Sequence, residues 1–273
     1  MKSMKNSSVE EHLICQKSYE DWFQTTLGRQ LLAEQRALVF EKCADAYGSH
    51  QIELAISHRL PVASNGNIPH RVAVVPKREA DMPDGVVAAL PHELPLAQHS
   101  VDLVIMHHTL DYASFPHQTL REVSRSLKSG GHLLIIGFNP LSFWGMRRVF
   151  NRDRGAPWNG RFISSQRVVD WLELLNFEVD RTNYGFYKMP VQRWAYSQKP
   201  GLLEKIGRHF KLPLGAYYCV YAQKQVSAAI PIKPKWKTAK VIGMPVANGL
   251  SKNSLFVADP FSHSRKKGIK SNQ

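Results

Sequence analysis

The chain has 273 residues, 43% of them apolar, which gives room for one large α/β domain with a sizeable core and argues against an intrinsically disordered chain. Cys15, Cys43 and Cys219 are scattered and odd in number, with no C-x-x-C spacing, so neither a disulfide framework nor a thiolate metal site is predicted. The net charge of +14 is uneven: from Gln225 onward there are nine Lys/Arg and one acid, Asp259, net +8, and residues 1–224 carry the remaining +6.

Taken in chain order, Tyr19, Trp22, Phe23, Leu27 and Leu31 fall at i, i+3, i+4, i+8 and i+12, the stripe of an amphipathic helix laid over a sheet. The short apolar run at 37–40 predicts the first strand, followed by EKCADAYGSH, in which Glu41 is an acid and Gly48 the one glycine. The second strand is predicted at 60–63, ending in Ser64-Asn65-Gly66, or at 71–75, ending in Pro76-Lys77. A third strand leads through GVVAALPHELPL to the turn Leu90-Pro91-His92, with Asp81 and Asp84 in a solvated loop before it.

Residues 94–140 organise the rest. Val101 and the unbroken run Leu103, Val104, Ile105, Met106 show no alternation, the pattern of a strand covered on both faces in a parallel sheet. Ser114 is placed to cap a helix with Pro116 in its first turn. Leu120, Val123 and Leu127 share one face of that helix, and Gly130-Gly131 stops it with a residue free to take positive φ. A second apolar run, 133–138, follows. Two buried strands joined by one amphipathic helix make a right-handed βαβ unit whose strands end at a ligand-binding crevice. That crevice is expected to hold His107, His108, Thr109 and Asp111 from one strand and Asn139 from the other. His107 and His108, with Asp111 and His117 nearby, assemble no complete ligand set at known spacings, so no metal is predicted.

The stretch 141–162 interleaves Phe143, Trp144, Phe150, Trp158 and Phe162 with Arg147, Arg148, Arg152, Arg154 and Arg161. Its position after a strand's carboxyl end predicts a cover over the crevice; stacking of bases, gripping of phosphates and contact with lipid headgroups stay open. Ser165 is placed to cap a helix buried through Val168, Val169, Leu172 and Leu175, with a strand from 176 to 179. A long excursion occupies 183–213, and 216–222 makes a closing strand. The domain is thus predicted to span 1–224. Residues 225–273, with PIKPKWK and SRKKGIK, form a basic tail expected to stay disordered and to bind RNA or another polyanion. No stretch has signal-peptide character or the apolar length of a membrane span, which predicts a cytoplasmic protein.

The wording LPLAQHSVDLVI, HHTLDY and REVSRSLKSGGHLLI resembles the fourth-to-fifth strand region of class I S-adenosylmethionine (SAM) dependent methyltransferases, and DWFQTTLGRQLL resembles the W-x-x-TPLG-x-x-L opening of a bacterial subgroup. The resemblance implies a Rossmann-like α/β sandwich with seven mostly parallel strands and an antiparallel last strand, and methyl transfer from SAM to an acceptor that the sequence does not name. It also implies an acid and a glycine-rich turn after the first strand, which here are reduced to Glu41 and Gly48, and carboxylates after strands two and three, which are absent. Cofactor contacts are accordingly expected from Glu41, from the backbone near Cys43 to Gly48, from Leu90 and His92, and from His107. His108 is assigned to the acceptor side as the catalytic imidazole, with Asp111 orienting it. Two alternatives accompany this reading: a methyltransferase-like protein that has lost the cofactor and serves as a binding module, or an RNA- or ribosome-associated protein working through its tail.

Overall fold

The computed structural model describes residues 2–44, 46–63, 67–150, 155–190, 207 and 212–225, all within the unit Met1–Ala229. The amino-terminal stripe folds as two helices, α1 (Lys2–Phe23) and α2 (Thr26–Cys43). Between them Thr25 is extended, and its Oγ1 accepts from the Gly28 amide at 3.2 Å, capping α2. Gly28 is required there, because a Cβ would lie 2.4 Å from the Trp22 carbonyl oxygen and 2.7 Å from the Phe23 Cα. All five stripe residues are buried against the sheet.

This arrangement corrects the first strand. Residues 37–40 continue α2, with Phe40 exposed, and the first strand is β1 (His50–Leu54). A four-residue apolar run does not by itself separate strand from helix, and here α2 carries its stripe straight through it. Of the two candidates for the second strand, 71–75 lies in β2 (His70–Val75), whereas 60–63 belongs to the connection after β1.

The sheet is completed by β3 (Val86–Ala88), β4 (Val101–His107), β5 (Leu127–Phe138), β6 (Phe177–Gly185) and β7 (Tyr217–Lys224). Its order is β3-β2-β1-β4-β5-β7-β6; β1 to β5 are parallel, and β7 runs antiparallel between β5 and β6. The order reverses at β1 and β4, whose carboxyl ends form the switch point where such sheets bind ligands.

On one face lie α4 (Pro116–Ser126) and α6 (Ser165–Leu174), burying Leu120, Val123, Val168 and Leu172 against Val104, Met106, Leu133 and Ile135. Helix α4 carries Pro116 at its first position, but Phe115 rather than Ser114 stands at its N-cap. It ends at Ser126, before Gly130, whose φ of +79° turns the chain inside β5. Ser164, one residue earlier than expected, caps α6 by accepting from the Arg167 amide. On the other face the cover is α1 and α2. Among the described residues, the connections 55–69 and 76–85 contain no helix, so these two leading helices supply the layer that crossover helices supply elsewhere.

The short helices α3 (Thr109–Tyr112) and α5 (Phe143–Phe150) follow β4 and β5. In α5, at the start of the expected cover, Trp144 is buried between Trp22, Phe138, Phe186 and Trp158. Most of the expected excursion (191–206 and 208–211) and the basic tail (226–273) lie outside the described residues. Among the described residues, no helix is long and apolar enough to cross a membrane.

Candidate functional site

Strand β1 ends at Leu54 and runs into Ala55-Ile56-Ser57-His58-Arg59-Leu60 at the switch point, a turn without glycine. Side chains from two helices occupy its backbone. Thr109 Oγ1 donates to the Leu54 carbonyl at 3.0 Å, Tyr112 Oη to Ala55 at 3.3 Å, and Gln16 Nε2 to Ile56. Ser57 Oγ donates to Glu20 at 2.8 Å, and Arg59 bridges Glu20 (3.0 Å), Glu79 (2.7 Å) and Asp81 (2.6 Å). Ala55, Ile56 and Ser57 are consequently buried under α1. Inside the turn, Glu53 accepts from the amides of Val62 (2.8 Å) and Ala63 (3.2 Å). Burial pushes its carboxyl up to about 7, against the opposing pull of those two amides.

A second polar cluster sits where β4 leaves the sheet. His107 is the last strand residue, but His108 takes a left-handed conformation (φ 54°, ψ 12°) and breaks the alternation. Both imidazoles therefore turn to one side chain, Gln35 of α2: His107 Nε2 donates to Gln35 Oε1 at 3.0 Å, and Gln35 Nε2 donates to His108 Nε2 at 2.8 Å. With its Nε2 accepting, His108 carries its proton on Nδ1, which donates to Asp111 Oδ2 at 2.7 Å. The same carboxylate oxygen accepts from the Phe138 amide at 3.0 Å, tying the β4 turn to the end of β5. His107, His108, Thr109 and Asp111 are all fully buried. Burial drives His108 down to about 3 and His107 well below its ordinary value, and raises Asp111 well above the carboxylate range despite the Phe138 amide and the nearby Arg148 charge. Burial thus favours the uncharged form of each group; His107 Nδ1 and Asp111 Oδ1 are buried without a hydrogen-bond partner, and neither imidazole is open to a substrate.

The structure thus brings His107, His108 and Asp111 together, but places both imidazoles against Gln35 rather than on opposite faces. Leu90 and His92 leave β3 at its carboxyl end, half-buried, with the His92 ring 5.1 Å from Phe115. The other expected cofactor contacts move with the corrected strand. Glu41 and Cys43 stand on α2 ahead of β1, Glu41 exposed and Cys43 packed in the core. Gly48 lies at the amino end of β1, where a Cβ would meet Asp102 Cβ at 2.3 Å, so its glycine serves a packing contact at the opposite end of the sheet. Asn139 donates to the Pro213 and Gly215 carbonyls and fastens the end of β5 to the approach of β7. The sequence reading passed over Gln35, Glu53, Gln16 and Glu20. Gln35 had a signal, an uncharged polar residue on the buried stripe of α2 between Leu31 and Val39; Glu53, an acid flanked by Ile52 and Leu54, had another.

In this conformation the residues at the switch point do not fit SAM. The turn beneath the cofactor would need backbone exposed to it, whereas the carbonyls of Leu54, Ala55 and Ile56 are all taken by side chains and the turn lies under α1. Strand β2 is followed by Pro76-Lys77 and β3 by Ala89-Leu90, so no carboxylate follows either strand directly.

Comparison with known proteins places the fold. The methyltransferase domain family matches residues 68–135, from β2 to the middle of β5. The chain is 34% identical over 189 residues to YafS of Escherichia coli K12, a protein described as uncharacterized, covering 64% of this chain and 71% of YafS. Among solved structures, a SAM-dependent methyltransferase of Thermotoga maritima, described as a possible histamine N-methyltransferase, superposes with a TM-score of 0.60 at 23% identity, covering 79% of this chain and 99% of that one. A SAM-dependent methyltransferase of Archaeoglobus fulgidus gives a TM-score of 0.51 at 14% identity, covering 71% and 94%. With the strand order, the switch point at β1 and β4 and the matched domain in agreement, the chain belongs to the class I SAM-dependent methyltransferase family.

Proposed function

We propose that the protein is a methyltransferase with an acceptor still to be identified, and that it takes up SAM only weakly while α1 lies over the β1 turn. The observation that supports this most directly is the switch point: β1 and β4 end side by side, tied by Thr109 and Tyr112, in a chain of the methyltransferase family. The closed turn supports the weak affinity. Each charged hydrogen bond forgone is worth about 1.5–3 kcal/mol, so the missing carboxylates after β2 and β3 amount to a hundredfold or more in affinity. His108 and Asp111 act here as positioning residues that hold the end of β4 against the Phe138 amide. His107 holds Gln35 in place. The three cysteines are free, which suits the proposed cytoplasmic setting.

Titration calorimetry with SAM and S-adenosylhomocysteine tests the reading. The native chain should bind with a dissociation constant above about 100 μM, and Gln16→Ala, which removes one tie between α1 and the turn, should tighten binding about tenfold. Low-micromolar binding by the native chain would overturn the closed-turn account. A second reading, a binding module that has lost the cofactor, is favoured by the burial of Ala55, Ile56 and Ser57. It prevails if neither the native chain nor Gln16→Ala binds either compound.

A further inference from the structure

A cleft of about 790 Å³ opens beside the β4 turn, between the start of α4, Pro140 after β5, and the segment that enters α6. Its walls carry Arg148, Arg161 and Arg167, all exposed, with Phe162 and Trp171 behind them. The Arg148 guanidinium lies over the Phe162 ring at 5.3 Å, and that of Arg167 over Trp171 at 5.7 Å. Their other contacts are uncharged: Arg148 Nε donates to the Trp158 carbonyl at 3.1 Å, and Arg161 reaches the Ser114 carbonyl at 3.5 Å. Among the described residues none of the three forms an ion pair with a carboxylate, whereas Arg59, Arg125, Lys17, Lys42 and Lys128 all do. Three cations that line one cleft with no carboxylate among its lining residues repel one another, and an anion bound among them would relieve that repulsion.

The surroundings reinforce the charge. Helices α4 and α6 both begin at this cleft, and Phe115 at the start of α4 supplies no side-chain cap. The cleft also adjoins the β4 turn, since the Arg161 amide donates to the Asp111 carbonyl at 2.6 Å and the Arg148 charge favours the ionised form of Asp111. A volume near 800 Å³ suits a small organic molecule.

We propose that this cleft binds the acceptor as a phosphate ester, with the phosphate among Arg148, Arg161 and Arg167 and a planar or apolar portion against Phe162 and Trp171. Three guanidiniums match a doubly charged phosphate better than a single carboxylate, because each can fork to a different pair of phosphate oxygens. The assignment of this ligand as the acceptor rests on the methyltransferase reading; the phosphate site itself does not.

The test is calorimetry on the full chain without SAM, using phenyl phosphate, inorganic phosphate, benzoate and an eight-nucleotide oligothymidylate at matched ionic strength. Phenyl phosphate should bind at least tenfold more tightly than benzoate and more tightly than inorganic phosphate. Arg161→Ala/Arg167→Ala should weaken it at least tenfold, Arg167→Ala alone should weaken it measurably, and Arg29→Ala, on α2, should leave it unchanged. Equal affinity for benzoate and phenyl phosphate, or no loss in the arginine variants with native circular dichroism, would overturn the site. Oligothymidylate binding more tightly than phenyl phosphate would overturn the small-molecule assignment in favour of a nucleic acid. Because no methyl donor is present, phosphate binding without any turnover in later assays would count against methyl transfer alone.

Discussion

Gln35 pairs with one ring nitrogen of each imidazole through a single amide, so its loss orphans two buried ring nitrogens at once. At about 1–3 kcal/mol for each group left unpaired, Gln35→Ala should destabilise the fold by about 2–6 kcal/mol in urea denaturation. A cost below about 1 kcal/mol would mean that water enters the cluster and replaces the amide. Glu53 supplies a pH dependence with a definite sign. Its folded-state pKa, about 7, lies above the 4.5 of an unperturbed glutamate, so the folded state keeps its proton after the unfolded state has lost it. The associated stability is fully present below about pH 4.5 and is lost as pH rises toward and through 7, by about 3 kcal/mol in all. Measured as the difference between native protein and Glu53→Gln, stability should therefore fall from pH 5 to pH 8; a flat difference would show that Glu53 titrates normally. At this scale the sequence singled out the polar residues at the end of β4 and the pairing of Asp111 with His108, but not Gln35, which joins the two imidazoles. His107, His108 and Asp111 stand out in a run of apolar residues, whereas the left-handed turn at His108 that points both rings to Gln35 leaves no mark on periodicity.

Between elements, the contacts that matter most are close approaches of backbone. Gly28→Ala would push a methyl into the Trp22 carbonyl oxygen and the Phe23 Cα and force α1 and α2 apart, at a cost of about 1–3 kcal/mol measurable by thermal unfolding. Gly160→Ala should act at a distance, since its Cβ would fall 1.9 Å from Tyr19 Oη and 3.0 Å from the Asp111 carbonyl oxygen. Displacing Tyr19 loosens α1, so limited proteolysis of this variant should cut within 1–25 sooner than in the native chain; unchanged cleavage would place the strain elsewhere. The elements legible from sequence were those with sustained patterns: unbroken apolar runs for β4, β5 and the closing β7, and one-sided stripes for α4 and α6. The first strand was not, because β1 is short and its most telling residue is an acid, while the apolar run at 37–40 belongs to a helix. Caps were off by a residue at both α4 and α6: Phe115 stands at the start of α4 without a side-chain cap, and Ser164, the neighbour of Ser165, caps α6.

Across the molecule, the mostly parallel seven-stranded sheet and the antiparallel β7 follow from the βαβ pattern of 94–140 and from the family it resembles. What the pattern does not disclose is the substitution of leading helices for crossover helices. Helices α1 and α2 cover a face that the connections 55–69 and 76–85, among their described residues, leave bare, and their side chains then reach the very turn a cofactor would approach. This arrangement also bears on how the chain is made. Tyr19, Trp22, Phe23, Leu27 and Leu31 are synthesised first, yet the surface that buries them includes Ile105, Ile136 and Phe138. At about 5–20 residues per second, that apolar stripe waits roughly 5–20 s for its partner strands to emerge from the ribosome. Over that interval the nascent chain presents a sticky amphipathic hairpin, a natural client for a chaperone. Moving residues 1–44 to follow Lys224 by circular permutation would shorten the wait and should raise the yield of folded protein during synthesis.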